Sequence, residues 1–354
     1  MFYEVAMSKV YFIAVDTSDL AAVSRAGRKL LETIVAEEKV VLQDKLPIKT
    51  HFGEKGNRTY IKPECYDGII DYLQEQNKAD RFLETTVLYG GKRFRRDSHL
   101  KLAAEHGFTR LPVEIADGES GEELYLADVD LKYFKQCSIG KAFERYKQVL
   151  VLSHFKGHAL AGFGGAIKQL SMGFAGKGGK LAMHMNVRPR IRKWLCKRCG
   201  MCVSRCQAEA ITLGKKPHID QSKCLGCGAC FSVCRHHAVS ILSWKGLVNA
   251  LFKGKFFREK LVEYAYGACK DRQHIFLNFA LNITRGCDCE PLPMKPCIHD
   301  IGVFASLDPV AIDRACWDAA ASTGKKFAGV EQLNYAEKIK LGSNNYELVT
   351  LPLD

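Results

Sequence analysis

The chain has 354 residues, 47% hydrophobic and 10% aromatic, with a formal charge of +13, enough to bury an ordinary core and to divide into two or three domains. It lacks the run of about 18 apolar residues that a spanning helix needs, and its start, "MFYEVAMSKVYFIAVD", lacks the basic head and small-residue cleavage site of a secretory signal, so neither a membrane span nor export is expected. Fifteen cysteines without such a signal point to reduced, metal-holding thiols and a cytoplasmic location.

In chain order, "KVYFIAVD" predicts a strand, followed by a helix from Asp19 to about Ala36 with Leu20, Val23, Leu30, Leu31 and Ile34 on one side. "KLPIKTHFGEKGN" reads as a strand running into a turn, "YDGIIDYLQEQ" as a helix, "RFLETTVLY" as a strand and "DSHLKLAAEHGF" as a capped helix that stops at Gly107. "QVLVLSHF" is a nearly unbroken apolar run, the pattern of a buried parallel strand. It leads into "SHFKGHALAGFGGAIKQLSMGFAGKGGKLAMHM", residues 153–185, with eight glycines, three histidines and four lysines. Gly162, Gly164 and Gly165 would allow a ligand to approach the backbone closely, and Lys168 could meet an anion there. The dinucleotide fingerprint fails for want of its third glycine, and no Walker Lys-Ser pair follows, so the standard phosphate loops are disfavoured. The same glycines would equally serve close strand–helix packing, and each histidine alone a structural role.

"CKRCGMCVSRCQ" and "CLGCGACFSVCR" then place Cys196, Cys199, Cys202 and Cys206, followed by Cys224, Cys227, Cys230 and Cys234, in two C-x2-C-x2-C-x3-C runs. A tetrahedral zinc ion takes four ligands from two separated pairs, not eight thiols in two tight runs. From Arg190 to Leu242 the spacing resembles that of bacterial two-cluster ferredoxins, which implies two [4Fe-4S] clusters in a small α+β unit. In that family the fourth cysteine of each run ligates the other cluster. The resemblance therefore gives Cys196, Cys199, Cys202 and Cys234 to one cluster and Cys224, Cys227, Cys230 and Cys206 to the other. Gln207 and Arg235 stand where those proteins usually have proline. Between Arg188 and Lys260 sixteen Lys and Arg face three acids, which accounts for the whole net charge. Such a surface suits docking of an acidic electron-transfer protein, a ferredoxin or flavodoxin, or is simply a solvated face. Its few aromatics, Trp194, Phe231 and Trp244, give little basis for base stacking, and nucleic-acid binding is not expected.

Beyond the runs, "HIFLNFALNI" predicts another buried strand and "SLDPVAIDRACWDAAASTG" a helix with Asp308 at the cap, Pro309 in the first position and Gly324 at the stop. Alternating strands and helices imply an α/β core, formed by residues 1–187 and 246–354 around an insert at 188–245. "HFGEKGN", "LYGGKR", "SHFKGHALAGFGGAIKQLSMG", "RGCDCEP" and "DIGVFASLDPVAIDRAC" together resemble the iron-sulfur proteins of the domain-of-unknown-function 362 family, over nearly the whole chain. Where that family usually reads Asp-Thr-Asn-Thr before Leu-Tyr, this chain has Glu84, Thr85, Thr86 and Val87. The glycine stretch is also distantly similar to the histidine-glycine-lysine segment of nickel-pincer lactate racemases. That resemblance implies a racemase-like core of mixed or parallel sheets with helices. It also implies His158 as an acid or base, Lys168 as a cofactor tether and His184 as a metal ligand, and His99 corresponds roughly to the second acid–base histidine; read from its glycine loop alone, Lys168 would serve equally as an anion anchor.

Cys287, Cys289 and Cys297, with His299, could bind a further metal or be buried free or redox-labile thiols. The expected function is an iron-sulfur oxidoreductase relaying electrons from two [4Fe-4S] clusters to a small anionic substrate or cofactor in the core, which could also hold an additional metal. The alternative is a non-catalytic electron-transfer or maturation protein whose core is a docking scaffold.

Overall fold

Two apolar strands set the centre of the fold. Gln148–His154 and Gln273–Ala280 pair in parallel with Val151 opposite Phe276, and both are almost wholly buried. Successive side chains point to opposite faces, so Val149, Val151 and Phe276 enter one helical layer while Leu150, Leu152, Ile275 and Leu277 enter the other. A strand covered on both sides gains nothing from polar alternation, which is why these runs look continuous in the sequence.

The computed structural model describes residues 7–184, 189–206, 209–224, 229–240 and 253–354; Cys227, Gly226, Gly228, Gln207 and Trp244, and the expected boundaries at 187/188 and 245/246, lie outside them. Among the described residues the central pair sits in an eight-stranded sheet. Its order is Tyr346–Thr350, Ser8–Ile13, Gly302–Ser306, Gln273–Ala280, Gln148–His154, Leu46–Lys49, Ala79–Glu84 and Val113–Ile115. Gly302–Ser306 runs against both neighbours, and every other adjacent pair is parallel. Helices Leu20–Glu37 and Asp67–Glu75 cover one face. Ala166–Phe174, Lys253–Cys269, Pro309–Ser322 and Glu331–Lys338 cover the other. The molecule is a mixed α/β fold with a largely parallel sheet.

The first strand and helix form as predicted, with Asp19 accepting from Ala22 N at 2.9 Å. Their partner is not the next strand in sequence. Ser8–Ile13 lies between Gly302–Ser306 and the carboxy-terminal Tyr346–Thr350, four strand spacings, or about 19 Å, from Leu46–Lys49. The 18-residue helix, about 27 Å long, bridges that gap. Pro309–Ser322 starts as its sequence indicates, with Asp308 Oδ1 accepting from Val310 N at 2.8 Å and Ala311 N at 3.0 Å. The helix carrying His99, Arg96–Glu105, has no side-chain cap, and the chain leaves it through Gly107 at φ +87°.

The cysteine segment has a small core of its own, built on Cys202, Ala210, Ile211, Ile219, Cys230 and Val239. Arg190–Ile191 pairs with Val239–Ser240 and Ile211–Thr212 with His218–Ile219, both antiparallel. The short helices Met201–Ser204 and Ala229–Val233 pack together, and the latter also packs against Lys177–His184 of the larger body. No helix of the described residues is long and apolar enough to cross a membrane.

Candidate functional site

In open α/β sheets, ligands bind beyond the carboxyl ends of the parallel strands. Here Leu46–Lys49, Ala79–Glu84 and Gln148–His154 end together. Beyond them opens a cleft of about 860 Å³, its mouth included, lined by His51, Glu84, Thr85, Arg93, Ser153, His154, Lys156, His158, Lys168, Lys180, His184, Phe257, Cys287 and Cys289.

Charge in and behind the cleft is dense and mostly compensated in pairs. Lys49 meets Glu84 at 2.9 Å, Arg93 meets Glu54 at 3.3 Å, and Lys156 meets Asp288. Burial alone would raise the Asp288 carboxyl, but His154 and Lys156 hold it well below the usual range. Lys180 differs. Its ammonium donates to Thr85 Oγ1 at 2.6 Å and to the Ala175 carbonyl at 2.5 Å, both uncharged. Burial, opposed by the charges of Asp117 and Glu84, brings its pKa down to about 8, so it stays mostly protonated at neutral pH, with neither of these hydrogen-bond partners a carboxylate.

Of the residues singled out in the sequence, His158, Lys168, Gly164, Gly165 and His184 line the cleft, whereas Gly162 and His99 do not. Gly162 has φ +90°, and a Cβ there would fall 1.9 Å from the Ala328 carbonyl oxygen; the missing side chain admits a neighbouring loop, not a ligand. A Cβ on Gly165 would lie 2.2 Å from Asp313 Oδ1, and one on Gly164 would lie 2.6 Å from the Lys168 stem. These glycines make room for the protein's own groups. His99 is fully buried, edge-on to Phe52 at 5.6 Å, with no hydrogen-bond partner at either nitrogen among the described residues. Burial first, then the charges of Arg93, Lys49 and Lys180, keep it neutral.

His158 is placed differently. Its Nδ1 accepts from Leu160 N at 3.2 Å and Ala161 N at 3.0 Å, which leaves Nε2 as the protonated nitrogen of the neutral ring. Burial and the Lys168 charge push its pKa down to about 3. At neutral pH the cleft therefore meets an N–H donor rather than a base. Phe257 packs against both His158 and His184, with ring centroids 6.3 Å and 4.8 Å apart; His184 stands at the exposed rim.

The hydrogen-bond partner of Lys168 in the cleft is a thiol of the chain itself. Lys168 Nζ lies 3.2 Å from Cys287 Sγ. A hydrogen bond from Cys289, then the charges of Lys168 and Lys156, hold the Cys287 thiol well below an ordinary thiol against the effect of burial, while Cys289 is pushed up. Sequence reading left these cysteines unassigned, and did not connect His51, Glu84, Arg93, Lys180 or Asp288 to the site. The available signal was the pair of motifs "HFGEKGN" and "RGCDCEP", which carry His51, Cys287 and Asp288.

A second, smaller cavity lies in the cysteine unit. Cys196, Cys199 and Cys202 of the first run and Cys234 of the second line it, together with Ile191, Leu213 and Val239. Burial first, then the neighbouring Cys196, Cys234 and Cys199, raises the Cys202 thiol. Ala210 N donates to Cys206 Sγ and Ala238 N to Cys234 Sγ, each at 3.2 Å, the same contact in both runs. Amide bonds of this kind stabilise thiolate and metal-bound sulfur. Among the described residues no three His, Cys, Asp or Glu side chains converge on a single ion. An all-thiol donor set around an apolar cavity is one that soft metal centres, a four-iron cluster among them, take.

No curated protein matches the chain. A crystal structure of a protein from Thermotoga maritima superposes with a TM-score of 0.44 at 10% identity, covering 88% of this chain and 60% of that one. The lactate racemase apoprotein from Thermoanaerobacterium thermosaccharolyticum gives a TM-score of 0.36 at 11% identity, covering 77% of this chain and 50% of that one. This chain thus spans less than two thirds of the length of either. A family model described as "Domain of unknown function (DUF362)" matches residues 47–318, a span that contains every residue lining the cleft. Matched over most of its length, the protein belongs to the DUF362 family.

Proposed function

We propose that the protein is an iron-sulfur oxidoreductase in which two [4Fe-4S] clusters, held by the cysteine unit, exchange electrons with a small anion bound in the cleft. The observation that carries this reading is the packing of Ala229–Val233, which bears Cys230, against Lys177–His184, which lines the cleft through Lys180 and His184. A single helix separates the expected cluster ligands from the ligand space. In the cleft, Lys180 anchors the acid group, His158 donates Nε2–H to a ligand oxygen and Phe257 covers an apolar side. When bound, the clusters supply one-electron transfer. The chain's own part is to fix the anion, exclude water and hold a proton at His158 Nε2. Lys197 and Arg198 beside the thiol cavity extend the basic surface on which an acidic ferredoxin or flavodoxin would dock.

Protein purified without oxygen should contain about eight irons per chain, and small carboxylates or phosphate should raise its melting temperature in a saturable way. Lys180→Met should abolish that shift and leave the iron content unchanged. Iron-poor or zinc-loaded protein would overturn the redox reading. Iron-loaded protein with no saturable ligand would favour the carrier or maturation role, with the core as scaffold.

A further inference from the structure

We propose that Cys287 is the nucleophile of the cleft: its sulfur, paired with Lys168, adds to the electrophilic carbon of a small carbonyl compound bearing an acid group. Cys287 is 3% exposed and faces the cleft. Its sulfur lies 3.2 Å from Lys168 Nζ and 3.5 Å from the Cys289 amide nitrogen. The lysine reaches it by folding across Gly164, where a Cβ would collide with the Lys168 stem at 2.6 Å. The charged and titratable groups around the sulfur include Lys168, Lys156 with its partner Asp288, neutral His158, the Tyr89 hydroxyl and the thiol of Cys289. On its own loop, Glu290 Oε1 accepts from Cys287 N at 3.0 Å. A sulfur among fixed cations, reached through a cleft, is the setting in which cysteines become nucleophilic.

Two other features of the cleft suit the same substrate. Lys180, without an acidic hydrogen-bond partner, receives the acid group. His158 offers Nε2–H to the carbonyl oxygen. As the C–S bond forms, the carbonyl π pair moves onto oxygen; that oxygen takes a proton from the Lys168 ammonium, which becomes an amine. The product is a thiohemiacetal, and nothing is oxidised or reduced. The step shares the anion-binding cleft with the proposed function and does not depend on the clusters.

Alkylation of the full-length protein by iodoacetate and iodoacetamide, read at each cysteine by peptide mass spectrometry, tests the proposal. An ordinary thiol of pKa about 8.5 is only about 0.1% ionised at pH 5.5. Cys287 should instead react at pH 5.5 within about threefold of its rate at pH 8, and faster with the anionic reagent than with the neutral one. Lys168→Met should restore a loss of at least about tenfold at pH 5.5, and Lys168→Arg should not. If Lys168→Met does not fold, the wild-type profile decides. A drop of about tenfold or more between pH 8 and pH 5.5, or no reaction of Cys287 with either reagent, overturns the proposal. Because the readout is the Cys287 peptide itself, it holds whether or not iron is present, and failure of the redox reading would be seen separately in the iron content.

Discussion

At His158 the amides of Leu160 and Ala161 occupy Nδ1, and burial beside Lys168 disfavours a second proton. Its titration therefore acts on stability. The pKa falls from 6.5 to about 3 on folding, so between those values the unfolded chain binds the proton and the folded chain does not. The contribution is complete above pH 6.5 and is lost as the pH falls towards 3. For a partly exposed ring the full loss is about 3 kcal/mol. His158→Gln removes this proton uptake. On going from pH 7.5 to 4.5 the urea unfolding free energy of the variant should fall by about 2 kcal/mol less than that of the wild type. Equal falls in the two proteins would mean that folded His158 accepts the proton readily and can serve as a base.

Helix Ala166–Phe174, which carries Lys168, begins at Gly165 without a cap of its own, and Asp313 of Pro309–Ser322 supplies one. Asp313 Oδ1 accepts from Ala166 N at 2.6 Å and Asn278 Nδ2 at 2.7 Å, and Oδ2 accepts from Ile167 N at 3.0 Å. Burial, opposed by these bonds, pushes its pKa up to about 6. The folded state then holds the proton more tightly than the unfolded one, and the Asp313 contribution declines as the pH rises from about 4 to about 6. Asp313→Asn turns one acceptor into a donor facing an N–H and should cost about 1–3 kcal/mol. The stability gap between wild type and variant should narrow from pH 4 to pH 6.5; a widening gap would place the folded carboxyl below its unfolded value. This contact joins residues 147 apart, so the sequence shows only a glycine and a mid-helix acid. Local features were legible: the start of the first helix at Asp19, the cap at Asp308, the two apolar strands, and the stretch that brings His158, Lys168 and His184 to one cleft. His51, Arg93 and Cys287 were not, because their partners come from other strands and loops and no local spacing couples them. The place of Ser8–Ile13 beside the carboxy-terminal strand escaped for the same reason.

In the whole molecule the cysteine unit is tied to one wall of the cleft. The chain passes into it after Lys177–His184 and returns through Lys253–Cys269, and these helices contribute Lys180, His184 and Phe257 to the lining. Within the unit, Cys234 shares a cavity with three cysteines of the other run; under the proposed function each run supplies the fourth ligand of the other's cluster. Double substitutions expose this coupling. Cys199→Ala with Cys234→Ala removes two ligands from one cluster and should leave about four irons per chain. Cys199→Ala with Cys206→Ala takes one ligand from each cluster and should leave far fewer. If each run instead closed its own cluster, the order would reverse, because Cys199 and Cys206 would then belong together and Cys234 apart. Iron and acid-labile sulfide per chain, measured without oxygen on both variants, separate the two arrangements. Since the comparison is between two variants of equal severity, a general loss of folding would lower both and could not produce the predicted order.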